Sequence, residues 1–123
     1  MRCLIVDDSA DFRDAASALL ARAGISVVGV ACNSAEALSL CHEVHPDVAL
    51  VDIDLGVESG FDLAEQFHRM ATSPPLAVIL VSTYAEADLA DMIAASPAVG
   101  FLQKFTMSPD AIRDLLEDYR ASR

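Results

Sequence analysis

"PDVALVDIDLGVESG", residues 46–60, holds an apolar run, Val48 to Val51, that ends abruptly in Asp52, Ile53 and Asp54. Four consecutive apolar residues bounded by polar ones fit a strand covered on both faces. A turn-rich segment follows, and then a helical pattern from about Ser59 to Ala71. The unit therefore reads as strand, loop, helix. Two carboxylates at the end of a covered strand cost desolvation energy, so a compensating partner must stand close by.

The same unit recurs on either side. "RCLIV" (2–6) reads as a strand. A helix follows from Ser9 to Ala23, with Phe12, Ala15, Ala16, Leu19, Leu20 and Ala23 on one face and Gly24 as its stop. "ISVVGVA" (25–31) is the second strand. Asn33 and Glu36 have the spacing of a capping box, which opens a helix through Val44 with Leu38, Cys41 and Val44 inward. The third strand is 47–52, and "SPP" (73–75) breaks the helix after it. "LAVILVS" (76–82) is the fourth and most apolar strand. Thr83 and Glu86 have capping-box spacing for a short helix that runs to Pro97. "VGFLQK" (99–104) is the fifth strand. Ser108 as N-cap and Pro109 at the first helical position open the last helix, with Ala111, Ile112, Leu115, Leu116 and Tyr119 on its apolar face.

Five βα units in alternation predict an α/β fold, a five-stranded parallel sheet with helices on both faces. One domain spanning 1–123 is expected, since no linker, repeat or low-complexity segment interrupts the pattern. Ligands of such sheets bind beyond the carboxyl ends of the strands.

Composition narrows the function. The chain carries 8 basic and 19 acidic residues, a net charge of −11, which argues against direct binding to nucleic acid. It suits a cation or a basic partner surface. No apolar run approaches the about 20 residues of a membrane span. "MRCLIVDDSA" reaches an acidic pair at residue 7, which does not fit a signal peptide, so the cytoplasm is the expected compartment. Cys3, Cys32 and Cys41 are an odd set without framework spacing and read as reduced, buried thiols. "CHEVH" (41–45) offers Cys41, His42 and His45, but nothing completes a tetrahedral zinc set.

The strand ends then assemble a constellation. Strand 1 ends in Asp7 and Asp8, strand 3 in Asp52 with Asp54 just after, strand 4 in Ser82 and Thr83, and strand 5 in Lys104. Clustered carboxylates repel, and a divalent cation relieves the repulsion. Hard oxygen ligands favour Mg²⁺ or Mn²⁺ over zinc. A metal, an ammonium and a hydroxyl around one carboxylate suit phosphoryl transfer, with the carboxylate as nucleophile and an aspartyl phosphate as product.

On these residues the chain resembles the receiver domain of two-component response regulators. The matching elements are "IVDDS", "PDVALVDIDLGVESGFDL", "VILVST" and "GFLQK", in that order and over essentially the whole chain. The resemblance implies a three-layer, flavodoxin-like, doubly wound sheet with strand order 2-1-3-4-5. It implies Asp52 as phosphoacceptor, Asp8 as a direct Mg²⁺ ligand, Asp7 as an acidic neighbour acting through water, and Asp54 as a ligand through its backbone carbonyl. Ser82 is implied as the switch hydroxyl, Phe101 as the aromatic that moves with it, and Lys104 as the phosphate-binding lysine. The implied donor is a phosphohistidine on a partner histidine kinase. Phosphorylation then changes affinity for a partner or for a second copy, a homodimer. "SGFDLAEQ" and "ASPAVGFLQK" are most similar to receivers that precede a LuxR-type helix-turn-helix DNA-binding domain. With the chain stopping at Arg123, it is read as either a stand-alone receiver or the front of a longer transcriptional regulator.

Three positions depart from the family pattern. Phe105 follows Lys104 where proline is usual, and a cis bond to a non-proline costs about 2.5–4 kcal/mol, so a trans peptide is expected. Gly56 stands where proline is frequent and is expected to loosen the loop after Asp52. Phe101 lacks a tyrosine's hydroxyl. Other readings stay open. Asp7 and Asp8 could cap the first helix, and Thr83 could cap the fourth. An aspartyl phosphohydrolase would use Asp54, two residues after its nucleophile, as acid–base. A degenerate receiver would only mediate contacts. Asp54 and Tyr84 could also screen the attacking water and slow dephosphorylation.

Overall fold

The computed structural model describes residues 1–70 and 75–121. Among the described residues, seven strands and five α-helices follow in the order β1 (Arg2–Val6), α1 (Ala10–Arg22), β2 (Ser26–Ala31), α2 (Ser34–Val44), β3 (Val48–Asp52), β4 (Asp54–Leu55), β5 (Glu58–Ser59), α3 (Gly60–Arg69), β6 (Ala77–Ser82), α4 (Glu86–Ala95), β7 (Gly100–Gln103) and α5 (Pro109–Ala121). Five strands form one parallel sheet in the order β2-β1-β3-β6-β7. With the small β4–β5 hairpin set aside, this is the expected order 2-1-3-4-5.

The strands read as continuous apolar runs because they are covered twice. Successive side chains of a strand point to opposite faces. Leu4, Val6, Ala49, Val51, Val78 and Leu80 pack on one face with Ala37 and Cys41 of α2 and Leu63, Ala64 and Phe67 of α3. Cys3, Ile5, Val48, Leu50, Ile79 and Val81 pack on the other with Ala16 and Leu20 of α1 and Ile112 and Leu116 of α5. Each fully buried Leu or Ile contributes about 1.5–3 kcal/mol relative to exposure, so this two-sided core fixes the register of the sheet.

Most helix starts lie where the sequence places them. Ser9 Oγ accepts the Phe12 N–H at 3.3 Å and Ser108 Oγ accepts the Ala111 N–H at 3.0 Å. Asn33 Oδ1 accepts the Glu36 N–H at 2.9 Å. The return arm of that capping box reaches one residue further back, with Glu36 Oε1 accepting the Cys32 N–H at 2.9 Å.

Five expectations are corrected. The Thr83–Glu86 box does not form: α4 starts at Glu86 with Ala85 at its N-cap and no side-chain cap bond. Ser82 Oγ accepts the Tyr84 N–H at 3.0 Å, which holds 82–84 in a turn and postpones the helix. β7 ends at Gln103, and Lys104–Thr106 is a short 3₁₀ turn rather than strand. Gly56 does not leave a loose loop: with φ +76° it turns the β4–β5 hairpin, a conformation closed to proline. Ala15 is exposed, and Cys32 is only half-buried.

The helix after β3 ends at Arg69, so its expected end at Ala71 lies outside the described residues, as does the 73–75 breaker except for Pro75. Among the described residues no helix is long and apolar enough to cross a membrane.

Candidate functional site

β1 and β3 are central neighbours, with Val6 paired to Val51, so the residues that follow them emerge side by side. Asp7 and Asp52 are buried there, at 0% and 5% exposure, while Asp8 is exposed. One carboxylate oxygen from each of Asp7, Asp8 and Asp52 lies within 4.8 Å of the others, an acidic group able to hold a metal ion. β7 delivers Lys104 to the same place. Its Nζ stands 2.7 Å from Asp7 Oδ2 and 3.2 Å from Asp52 Oδ2, and it lies 4.5 Å from the centre of the Phe12 ring.

The local hydrogen bonds hold these groups in place. Asp7 Oδ1 accepts the Ser9 N–H at 2.8 Å, and the Asp7 carbonyl accepts Arg13 Nη1 at 2.7 Å. Asp7 therefore does not cap α1, whose N-cap is Ser9; its carboxylate instead fixes the turn that leads into the helix. Asp52 Oδ1 accepts the Asp54 N–H at 3.1 Å, and Asp54 Oδ1 accepts the Gly56 N–H at 3.2 Å. Lys104 donates a hydrogen bond to Asp52 Oδ2. Its ammonium also forms an ion pair with Asp7 Oδ2, a buried oxygen whose one close partner among the described residues is that ammonium. Three carboxylates gathered round a single ammonium leave negative charge in excess, which fits a hard divalent cation that takes oxygen ligands.

The electrostatics are those of a crowded acidic pocket. Burial pushes the Asp52 carboxyl up to about 6, and the Asp7 charge adds to the rise. The Asp54 N–H and Lys104 act in the opposite direction without cancelling it. Burial by itself lowers Lys104, but Asp7 and Asp52 outweigh it and hold the ammonium above its ordinary value.

Ser82 ends β6 beside β3 and β7 and is 2% exposed. Its oxygen is turned to its own loop through the Tyr84 N–H, and its hydroxyl proton stays available for an acceptor. Phe101 pairs with Leu80 and is buried among residues packed by Leu89 and Ile93 of α4. The zinc reading of 41–45 finds no geometry, since Cys41 is buried while His42 and His45 are exposed. The three cysteines are free thiols. Burial pushes Cys3 up to about 12 and raises Cys41, and a hydrogen bond to Glu36 raises Cys32. All three are poor nucleophiles.

Two site residues carry no obvious sequence signal. Gly60 opens α3 directly against the Asp52 backbone, where an added Cβ would lie 2.1 Å from the Asp52 carbonyl oxygen. Its place in "ESGFD" marks a helix start but not this approach. Phe12 falls on the apolar stripe of α1 and reads as core, although its ring also faces Lys104.

Comparison with known proteins agrees with this geometry. The response regulator receiver domain family matches residues 3–117. The signal receiver domain of the response regulator NarL from Mycobacterium tuberculosis superposes with a TM-score of 0.82 at 28% identity, covering 97% of this chain and 95% of that one. A CheY-like receiver domain protein from Methanospirillum hungatei superposes with a TM-score of 0.75 at 29% identity, covering 98% of this chain and 91% of that one. Among curated proteins, a protein-glutamate methylesterase/protein-glutamine glutaminase from Methanosarcina acetivorans is 42% identical over 84 residues, 68% of this chain. The match spans 23% of that relative's length.

Proposed function

The chain belongs to the response regulator receiver domain family, and from that premise we propose that Asp52 is its phosphoacceptor, charged by the phosphohistidine of a partner histidine kinase. The observation that carries the reading is the buried Asp7–Asp52 pair closed by Lys104. A carboxylate oxygen of Asp52 bonds to phosphorus while the phosphorus–nitrogen bond of the donor breaks, and the leaving imidazole takes up a proton. Lys104 and the Ser82 hydroxyl donate to the phosphoryl oxygens, and Phe101 follows Ser82 in the switch.

Mg²⁺, or Mn²⁺, fits the donor set of Asp7, Asp8 and Asp52, with the Asp54 backbone carbonyl as a further oxygen. When bound it supplies positive charge against the phosphoryl oxygens. The raised pKa of Asp52 means that its nucleophilic form needs this charge or a pH above about 6.

Phosphorylation biases two states of the surface formed by α4, β7 and α5, which changes affinity for a partner or a second copy. The output we assign is a LuxR-type helix-turn-helix domain that binds DNA, in keeping with the likeness to the NarL receiver. A methylesterase output is the second reading, favoured by the relative from Methanosarcina acetivorans. In both, the receiver is the signalling module and the output chemistry belongs to another domain.

Intact-protein mass spectrometry after incubation with acetyl phosphate tests the reading. The expected result is a Mg²⁺-dependent gain of one phosphoryl group that Asp52→Ala abolishes. A gain that survives in Asp52→Ala overturns the assignment. Multiple turnovers of an external phosphate ester would support the aspartyl phosphohydrolase instead, and a folded protein that accepts phosphate from neither acetyl phosphate nor a kinase would be a degenerate receiver.

A further inference from the structure

We propose that Phe12 is a positioning residue that aims the Lys104 ammonium at the phosphoryl site. The inference rests on the phosphate-binding role of Lys104 given above. Lysine is a flexible four-carbon stem with a point charge, so its aim must come from what surrounds the charge. The residue after Lys104 supplies nothing: Phe105 is 83% exposed, and Lys104–Thr106 is a single 3₁₀ turn. The Lys104 side chain is nevertheless only 14% exposed. It is enclosed by Asp7 Oδ2 at 2.7 Å, Asp52 Oδ2 at 3.2 Å and the Phe12 ring at 4.5 Å.

The ring does something the carboxylates cannot. An aromatic face attracts a cation through its quadrupole and needs no hydrogen-bond donor in return. Lys104 has three N–H donors, and the two carboxylates can engage two of them. The ring holds the ammonium from the side and leaves a donor for an incoming phosphoryl oxygen. It also keeps water from that side, which strengthens the charge–charge terms.

Phe12 is itself well fixed. Its N–H is bonded to Ser9 Oγ at 3.3 Å, and its neighbour Arg13 bonds the Asp7 carbonyl at 2.7 Å. That α1 turn is therefore tied to Asp7, directly through Arg13 and by way of Ser9. The ring packs against the buried cluster of Cys3, Ile5 and Leu50.

The test combines a resting-state spectrum with phosphorylation kinetics on wild type, Phe12→Leu and Phe12→Tyr. In the resting protein the Lys104 Cε protons should be displaced upfield by the ring current. The displacement should vanish in Phe12→Leu and persist in Phe12→Tyr. The acetyl phosphate concentration for half-maximal phosphorylation should rise about fivefold in Phe12→Leu and return close to wild type in Phe12→Tyr. A merely structural role would lower thermal stability in Phe12→Leu and leave the half-maximal acetyl phosphate concentration unchanged, which overturns the proposal. If Phe12→Leu fails to fold, an undisplaced Lys104 signal in wild type overturns it alone. The spectrum requires no phosphoryl transfer, so a wild type that takes up no phosphate counts against the functional reading, while the ring–ammonium contact is still judged.

Discussion

α3 and α4 are both ten-residue helices that follow central strands ending in site residues, Asp52 and Ser82, yet they are held very differently. α3 buries Gly60, Leu63, Ala64 and Phe67, and its N-cap Ser59 accepts the Phe61 N–H at 3.2 Å. A hairpin and the close approach of Gly60 to Asp52 tie its start to the acidic pocket. α4 has no buried residue and no side-chain cap, and Tyr84 and Met92 at its start and on its length are exposed at 60% and 54%. The difference is a division of labour. The α3 side holds Asp52 in one geometry, while the α4 side is free to shift at low cost, as the switch role proposed for Ser82 requires.

The strongest way to break that comparison is Gly60→Ala. The added methyl would meet the Asp52 carbonyl at 2.1 Å, and backbone cannot move aside as a flexible side chain can. We expect a loss of about 3 kcal/mol, on the order of 10 °C in Tm. Phosphorylation should fall with it, since Asp52 is displaced. Thermal denaturation and the acetyl phosphate assay check both. A stability within about 0.5 kcal/mol of wild type would mean that the α3 start is not rigid.

Asp52→Asn probes the charge that the rigid side confines. The folded protein holds the Asp52 proton up to about 6, against an ordinary value of 3.8, so between these values the folded state binds more protons than the unfolded one. Stability of wild type attributable to this group therefore falls as pH rises through that window, and the penalty is complete above it. Without divalent metal, Asn should raise stability by about 2 kcal/mol at neutral pH and by much less near pH ~4. Urea denaturation at the two pH values measures the difference. A pH-independent effect would show that the carboxylate is not strained by burial.

Much of this was legible in the sequence, for physical reasons. The apolar runs Val48–Val51 and Val78–Val81 announce a sheet covered twice, and caps such as Ser9, Asn33 and Ser108 mark helix starts through local bonds. The convergence of Asp7 and Asp52 follows once β1 and β3 are parallel and adjacent, and Lys104 reaches them from β7 at the same end of the sheet. What stayed hidden depends on distant contacts or competing turns. Gly60 is required by a carbonyl eight positions earlier in the chain, and Phe12 faces Lys104 across two elements. Thr83 had the right spacing for a cap, but the Ser82–Tyr84 turn took the backbone first. Gly56 reads as looseness in the sequence because a glycine's φ is invisible there, whereas its φ of +76° turns the hairpin.

The loose side can be sharpened by hydrogen exchange. Amides of α4 should exchange about 10-fold or more faster than those of α3, because few apolar contacts must break to open α4. Equal protection of the two helices would remove the division of labour.

The smallest change is Ala85→Ser. Ala85 already has the extended backbone of an N-cap, with φ −72° and ψ 147°, and lacks only an oxygen to accept a helix N–H. Serine supplies one without adding to the net charge of −11. Its expected gain is about 0.5–1 kcal/mol, and α4 amides should exchange about two- to fivefold more slowly. Stabilising the helix in its resting register should also make the switch harder to throw. Phosphorylated Ala85→Ser would then retain more of the unphosphorylated α4 spectrum than wild type does. The same gain in stability with a fully switched spectrum would mean that α4 moves as a rigid body and that its loose start is not where the change begins.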